Sequence, residues 1–453
     1  MANGEGALID VREEIRNAPV GRYHIVLASL VSMIVFFEGY DTFNASYVLH
    51  YVMKPWHLDP GHAGFLVSSG LIGFMISSLS EGKLSDRYGR RVTVLGALWI
   101  ATIFSLATAT LANSFITFCV FRFFTGLGLG VLLPVGVTYM NEYAPRRLAN
   151  TFSTWGWTLG FSAGGVLAGV IGVYLTPVAG WQILYYVASL SAVLAVICHV
   201  FLPESLQFSA VRGDMKGMTG ALSRLNPSQA QRYNAPGVRF VFPEPSDHLA
   251  SISLLLSQRY RRTSLSVWIA SFFVLFAIYG LTGWIPTAMI QRGETFATSF
   301  GFGALIQAMN FFGCLACCYV ADRHGHAVWT VVTSWVIGGI AMGTLVIANN
   351  HVLNLLCVGA SGFFILGAWG ALSNFVARWY DTEVRGTAVG MMLGAGRFGG
   401  ILGPLATGVI QEFVPGSKGL FFVIGLATLI AALAVSFAGR GPAGGMSADA
   451  VLT

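Results

Sequence analysis

Apolar residues in this chain fall in continuous blocks of about 20, the length a helix needs to cross a ~30 Å hydrocarbon core. The strands of a membrane barrel would instead alternate apolar and polar positions. About twelve blocks can be counted, beginning near Tyr23, His62, Val92, Phe115, Thr151, Val178, Thr263, Ala297, Val328, Val352, Val384 and Gly419. The pattern predicts an all-α integral membrane protein of twelve transmembrane helices. One long hydrophilic interruption divides them six and six. The expected organisation is a six-helix bundle over residues 1–202, a linker over 203–262, a second six-helix bundle over 263–438 and a flexible tail over 439–453. The linker is rich in Gly, Pro, Ser and basic residues, with one short helical stretch around Met215 to Leu225.

Composition removes the soluble alternatives, because 55% of the 453 residues are hydrophobic and only 10% charged. Charge placement then orients the chain. The leading segment carries Asp10, Arg12, Glu13, Glu14 and Arg16 and lacks the apolar core of a signal peptide, so the first helix is expected to be an uncleaved anchor with its amino terminus cytoplasmic. With both termini inside, the inner segments hold Arg12, Arg16, Arg22, Lys83, Arg87, Arg90, Arg91, Arg146, Arg147, the basic linker residues, Arg323, Arg378, Arg385 and Arg440. The outer loops hold only Lys54, Arg292 and Lys418, the asymmetry of the positive-inside rule. The net charge of +6 therefore reads as the topology of a multi-pass protein in a cell membrane, of bacterial inner-membrane type, and nucleic acid is not an expected partner.

Motifs of enzyme chemistry dissolve on inspection. Gly126, Gly128 and Gly130 imitate a nucleotide loop, but they lie inside an apolar span, where small residues serve close helix packing. Cys314, Cys317 and Cys318 sit in another span without a second ligand pair, and all six cysteines are expected to be free. The chain is not expected to be an enzyme, and neither a cofactor nor a metal is expected.

Four charged residues fall within spans and demand a reason. Glu38 and Asp41 lie three residues apart on one face of the first helix. An acid at membrane depth costs ~2.5 to 3.5 kcal/mol on insertion scales, so it belongs to an ion pathway, a proton relay or a substrate site. Arg122 in the fourth span and Arg397 in the eleventh are equally costly unless paired. A purely structural network of Glu38, Asp41 and Arg122 that fixes packing is the plainer alternative.

The two halves repeat weakly. Gly82-Lys83-Leu84-Ser85-Asp86-Arg87-Tyr88-Gly89-Arg90-Arg91 follows the second span, and Ala321-Asp322-Arg323-His324-Gly325-His326 follows the eighth. Arg147, Gly156 and Gly165 are echoed by Arg385, Gly394 and Gly403. Such repeats of six helices build many secondary transporters. Gly82 to Arg91 resembles the signature loop of the major facilitator superfamily. Within it, Glu38-Gly39-Tyr40-Asp41, the fourth span from Arg122 to Gly130 with Pro134 and Glu142-Tyr143-Ala144-Pro145, Trp284-Ile285-Pro286-Thr287, and Gly394 to Gly399 with Gly403-Pro404 are similar to the aromatic acid:proton symporters. Val135 and Gln182 depart from that pattern, as does Glu38, which takes a place usually held by Asp.

The resemblance implies the major facilitator fold, a monomer, and gating roles for Gly82, Asp86, Arg87, Gly89, Arg90, Glu142, Asp322 and Arg323. It implies import of a small aromatic carboxylate with a proton as coupling ion. A sugar acid, a nicotinate-type compound, or drug export against protons are the alternatives. The expected chemistry follows from the buried charges: Asp41, with Glu38, carries the proton, and Arg397 or Arg122 meets the substrate carboxylate, since a guanidinium fork grips such a group bidentately. An anion that competes for an arginine favours protonation of the acid which that arginine was holding. Candidate lining residues are Tyr40, Asn44, Trp155, Trp157, Tyr279, Trp284, Gln307, Asn310, Trp369 and Asn374, of which Trp284, Gln307 and Asn310 are preferred.

Overall fold

The computed structural model describes residues 8–143, 158–241 and 252–439. A short α1 (Val11–Asn17) precedes the long helices α2 (Arg22–Val52), α3 (Pro60–Tyr88), α4 (Arg90–Leu111) and α5 (Phe115–Tyr143). The shorter α6 (Gly160–Tyr174) and the span α7 (Gln182–Phe201) follow, and then α8 (Met215–Leu225). The second half holds α9 (Arg261–Gln291), α10 (Phe296–His324), α11 (Ala327–Ile347), α12 (His351–Trp379), α13 (Thr382–Phe413) and α14 (Ser417–Val435).

Eleven of these helices are long and apolar enough to cross a membrane, and α6 is a further apolar helix of 15 residues. The expected fifth start, Thr151, lies outside the described residues. The other expected starts fall within about four residues of the observed ones, because local chemistry sets the boundaries. Asp59 accepts the His62 N–H at 2.7 Å and is followed by Pro60, whose missing donor suits the first helical position. Asn350 caps α12 by accepting the Leu353 N–H at 3.1 Å. Gly89 separates α3 from α4 at φ +95°, a backbone that side-chain-bearing residues rarely adopt. A π-helical turn over Gly362–Leu366 interrupts α12.

The chain divides into two compact units. The first takes the described residues up to Val241 together with Gly283–Ala308, and the second takes Ile252–Thr282 and Met309 to Gly439. In the first unit, α3 and α5 touch backbone to backbone: a Cβ on Gly126 would fall 2.0 Å from the Gly70 carbonyl oxygen, and one on Gly73 2.0 Å from that of Phe123. Helices α2 and α6 meet the same way at Gly39 against the Phe161 carbonyl and Gly164 against that of Phe36. Residues 283–308 join this unit through α6, where Gly169 faces Ala304 and Gly172 faces Phe300, and through Tyr47, whose ring lies 5.2 Å from that of Phe300. In the second unit, α9 packs on α13 at Gly399 and Gly403, and α11 on α14 at Gly339 and Gly425.

Residues 203–241 of the hydrophilic stretch carry secondary structure of their own. Its expected helix is present as α8, over the expected residues. Met218, Leu222 and Leu225 of α8, with Tyr233, are buried in one core with Ile9, Val11 and Ile15 from the start of the chain. A feature without a signal in the hydrophobic pattern locks them together. Strand β1 (Leu8–Asp10) pairs in parallel with β2 (Arg239–Val241), Leu8 opposite Arg239. Glu14 accepts from Arg232 Nη1 at 2.9 Å and from the Tyr233 hydroxyl at 2.6 Å.

Overpacking a close helix contact costs about 1–3 kcal/mol. Gly126→Ala is therefore expected to lower the melting midpoint in detergent, whereas Gly96→Ala, with open space around the added methyl, leaves it unchanged or raises it. Thermal unfolding of the two purified variants checks the contrast.

Candidate functional site

Helix α2 is apolar along most of its length, yet it carries both intramembrane acids, each almost fully buried: Glu38 at 1% and Asp41 at 2% exposure. The α3–α5 contact brings the counter-ion. Arg122 on α5 donates through Nη1 to Asp41 Oδ2 at 2.5 Å and through Nη2 to the backbone carbonyl of Asp41 at 3.3 Å. Ser105 on α4 adds a third bond, to Asp41 Oδ1 at 3.3 Å. The guanidinium carbon sits 5.5 Å over the Tyr185 ring, within range of a cation–π contact. Gly70 makes the room, since a Cβ there would come 3.3 Å from Nη2.

Three spans thus converge on one carboxylate. A buried pair of this kind is weak evidence of net stabilisation, but removing one partner strands the other and costs about 3–5 kcal/mol. The sequence offered Arg122 either to an internal acid or to a ligand; the structure gives it to Asp41. Tyr40, the residue before Asp41, turns its hydroxyl to the Leu184 carbonyl at 3.0 Å, and Asn44 Nδ2 reaches the same oxygen at 3.4 Å.

The remaining candidates divide between the units. Trp284 is fully buried in the first unit. Gln307 is buried there too, and neither its amide nitrogen nor its amide oxygen has a hydrogen-bond partner among the described residues. Asn310 and Arg397 are half-buried in the second unit, where Arg397 Nη1 donates to the Tyr279 hydroxyl at 3.4 Å. Trp369 is half-buried, and Asn374 is exposed with its amide on Cys318 Sγ at 3.5 Å. Trp155, Trp157, Arg146 and Arg147 lie outside the described residues.

Of the predicted gating residues, Asp86 and Glu142 meet at Arg90. Its guanidinium lies 3.2 Å from Asp86 Oδ1 and 3.6 Å from Glu142 Oε1, so it bridges the end of α3 to the end of α5. Arg87 stacks over Tyr88 at 5.3 Å, and its carbonyl accepts from Arg212 Nη2 at 2.9 Å. Gly82 has open space where a side chain would stand. In the second unit Asp322 pairs with Arg378 at 2.7 Å, and Arg323 donates to the Tyr319 hydroxyl at 2.9 Å.

Two carboxylates escaped the sequence reading. Glu204 accepts the Arg91 N–H at 3.1 Å and the Ser205 N–H at 2.9 Å, while Ser205 Oγ donates to Glu142 Oε2 at 2.5 Å. A Cβ on Gly89 would fall 2.5 Å from Glu204 Oε2, which places this carboxylate directly over the positive-φ turn between α3 and α4. Asp381 accepts from the Tyr260 hydroxyl and from Arg259 Nη2 at 2.8 Å. The available signal was their position immediately beyond a span, in Pro203-Glu204-Ser205 and Trp379-Tyr380-Asp381.

Comparison with known proteins agrees with this architecture. The family model of the Major Facilitator Superfamily matches residues 31–330 and 308–449. The chain is 32% identical over 433 residues to a gallate transporter of Pseudomonas putida, covering 95% of each chain. It is 33% identical over 408 residues to the 4-hydroxybenzoate transporter PcaK of the same species, covering 88% of this chain and 89% of that one. Among solved structures it resembles a partially occluded, inward-open xylose transporter XylE of E. coli, with a TM-score of 0.72, 15% identity and coverage of 91% and 97%. Intramembrane charges held by paired helices, and a family match across both halves, make this chain a member of the Major Facilitator Superfamily: a multi-pass cell-membrane protein that transports and is not an enzyme.

Proposed function

We propose that the protein is a symporter that imports a small aromatic carboxylate together with a proton by alternating access, with both termini cytoplasmic. The Asp41–Arg122 pair carries this reading. A carboxylate held by a single guanidinium in an apolar bundle has two well-separated states. Deprotonated, it anchors Arg122 and ties α2 to α5. Protonated, it loses the charge that holds the arginine, and the tie between the two helices loosens. Glu38, buried one turn away, supplies a second site for the same proton.

With Arg122 occupied, the substrate carboxylate falls to Arg397. Arg397 Nη1 donates to the neutral hydroxyl of Tyr279, and a carboxylate on the same guanidinium would add ionic attraction and a bidentate grip that a hydroxyl cannot. The substrate class is supported by relatives named for gallate and 4-hydroxybenzoate transport. An exporter of lipophilic cations would have little use for two arginines at membrane depth. The basic residues gathered on one side of the spans support the assigned orientation.

Proteoliposomes containing the purified protein are expected to accumulate benzoate-type acids when an inward proton gradient is imposed; uptake that ignores the gradient for every anion in a panel of aromatic, pyridine, sugar and short-chain acids would sink the proposal. Asp41→Asn is expected to reduce gradient-driven accumulation to background while substrate counterflow persists, and accumulation that survived would leave the pair a packing element only. Arg397→Gln removes a charged hydrogen bond worth about 1.5–3 kcal/mol. The expected result is a KM for the carboxylate raised roughly 10- to 100-fold, measured in the same vesicles, with little change for an uncharged amide analogue.

A further inference from the structure

Gln307 differs from the other buried amides. Gln411 donates to the Thr407 carbonyl at 3.1 Å, Asn44 to that of Leu184, and Asn354 to Asn349 Oδ1 at 3.4 Å. Gln307 is 1% exposed, and both ends of its amide are unpartnered among the described residues. A buried donor and acceptor left unmade are costly enough that such groups are almost always satisfied, by protein, water or ligand.

Its surroundings are built around the side chain. A Cβ on Gly165 would fall 2.7 Å from Gln307 Cγ and 2.9 Å from Phe43 Cδ2, so this glycine gives up its side-chain space to the glutamine stem and the phenyl ring together. Phe43 stands edge-on to Phe161 at 5.5 Å. The depth also matches that of the proton site. Gln307 lies eleven residues in from Phe296 at the start of α10, and Asp41 eleven residues in from Val52 at the end of α2. Those two helix ends meet, with the Phe296 ring 5.5 Å from His50 and 6.1 Å from Tyr51. At 1.5 Å per residue both groups sit ~16 Å below the same aromatic cluster.

We propose that Gln307 is the specificity-determining residue of the transporter, pairing with a ring hydroxyl of a hydroxylated aromatic acid. The inference rests on the aromatic-carboxylate reading above. A carboxamide offers a donor and an acceptor side by side, and a phenolic hydroxyl both accepts and donates, so one substituent satisfies both orphaned atoms. A carboxylate would serve the amide nitrogen and repel the oxygen; a cation would do the reverse. Phe43 supplies an apolar face for the ring. A substrate without the hydroxyl leaves the amide unpaired, the situation in which binding sites discriminate most strongly.

The test compares 4-hydroxybenzoate with 4-methylbenzoate, which has a similar shape, in proteoliposomes of the full chain under an inward proton gradient. The wild type is expected to favour the hydroxylated acid in kcat/KM by roughly 5- to 100-fold. Gln307→Met is expected to compress that preference to within about 2-fold, with gradient-driven uptake of 4-methylbenzoate retained as the internal proof of folding. Wild-type uptake of both acids without preference overturns the inference whatever the variant does. So does a variant that keeps the preference or slows both acids equally. If the wild type takes up neither acid, the aromatic-carboxylate reading fails and this one falls with it, an outcome distinct from the others.

Discussion

Helices in a lipid bilayer gain nothing by hiding apolar surface from one another, because the lipid is as apolar as they are; what holds them together is how closely their backbones approach. That constraint runs through both units. At Gly126 against Gly70, Gly39 against Phe161, and Gly403 against Phe276, a single added carbon would overlap a carbonyl oxygen of the facing helix. The α3–α5 contact does more than stabilise. It carries Arg122 to the depth of Asp41 and leaves, at Gly70, the space its guanidinium occupies. Chemistry in the membrane is here a consequence of missing side chains.

The two charged assemblies of the first unit differ in how much solvent reaches them. Asp41 and Arg122 are sealed away, so their attraction is weakly screened and their separation expensive. The network of Asp86, Arg90, Glu142, Ser205, Arg91 and Glu204 lies at the helix ends; Asp86 is largely exposed, so its pair with Arg90 contributes little by itself, whereas Arg90 and Glu142 face each other mostly buried.

The spans were legible because hydrocarbon imposes length and apolarity on every helix that crosses it, and Asp59-Pro60, Gly89 and Asn350 marked their ends in residues of strong local preference. The presence of four intramembrane charges was legible for the same reason. Their pairing was not. Asp41 and Arg122 are 81 positions apart, and only the packing of α3 on α5 against α2 decides that they meet. Glu204 and Asp381 were overlooked because they sit among polar residues just past a span, where a charge needs no special reason. The strand pairing of β1 with β2 had no signal, since three residues of LID and RFV carry no pattern that distinguishes them from any short loop.

That small sheet has a temporal side. Parallel strands need a crossover to join them, and here the crossover contains the whole of the first group of spanning helices. At a synthesis rate of 5–20 residues per second, roughly ten to fifty seconds separate the emergence of β1 from that of its partner. During that interval Ile9, Val11 and Ile15 have no α8 to bury them. Closure of the sheet therefore cannot precede synthesis of every helix from α2 to α8, all of which lie between its two strands in the chain.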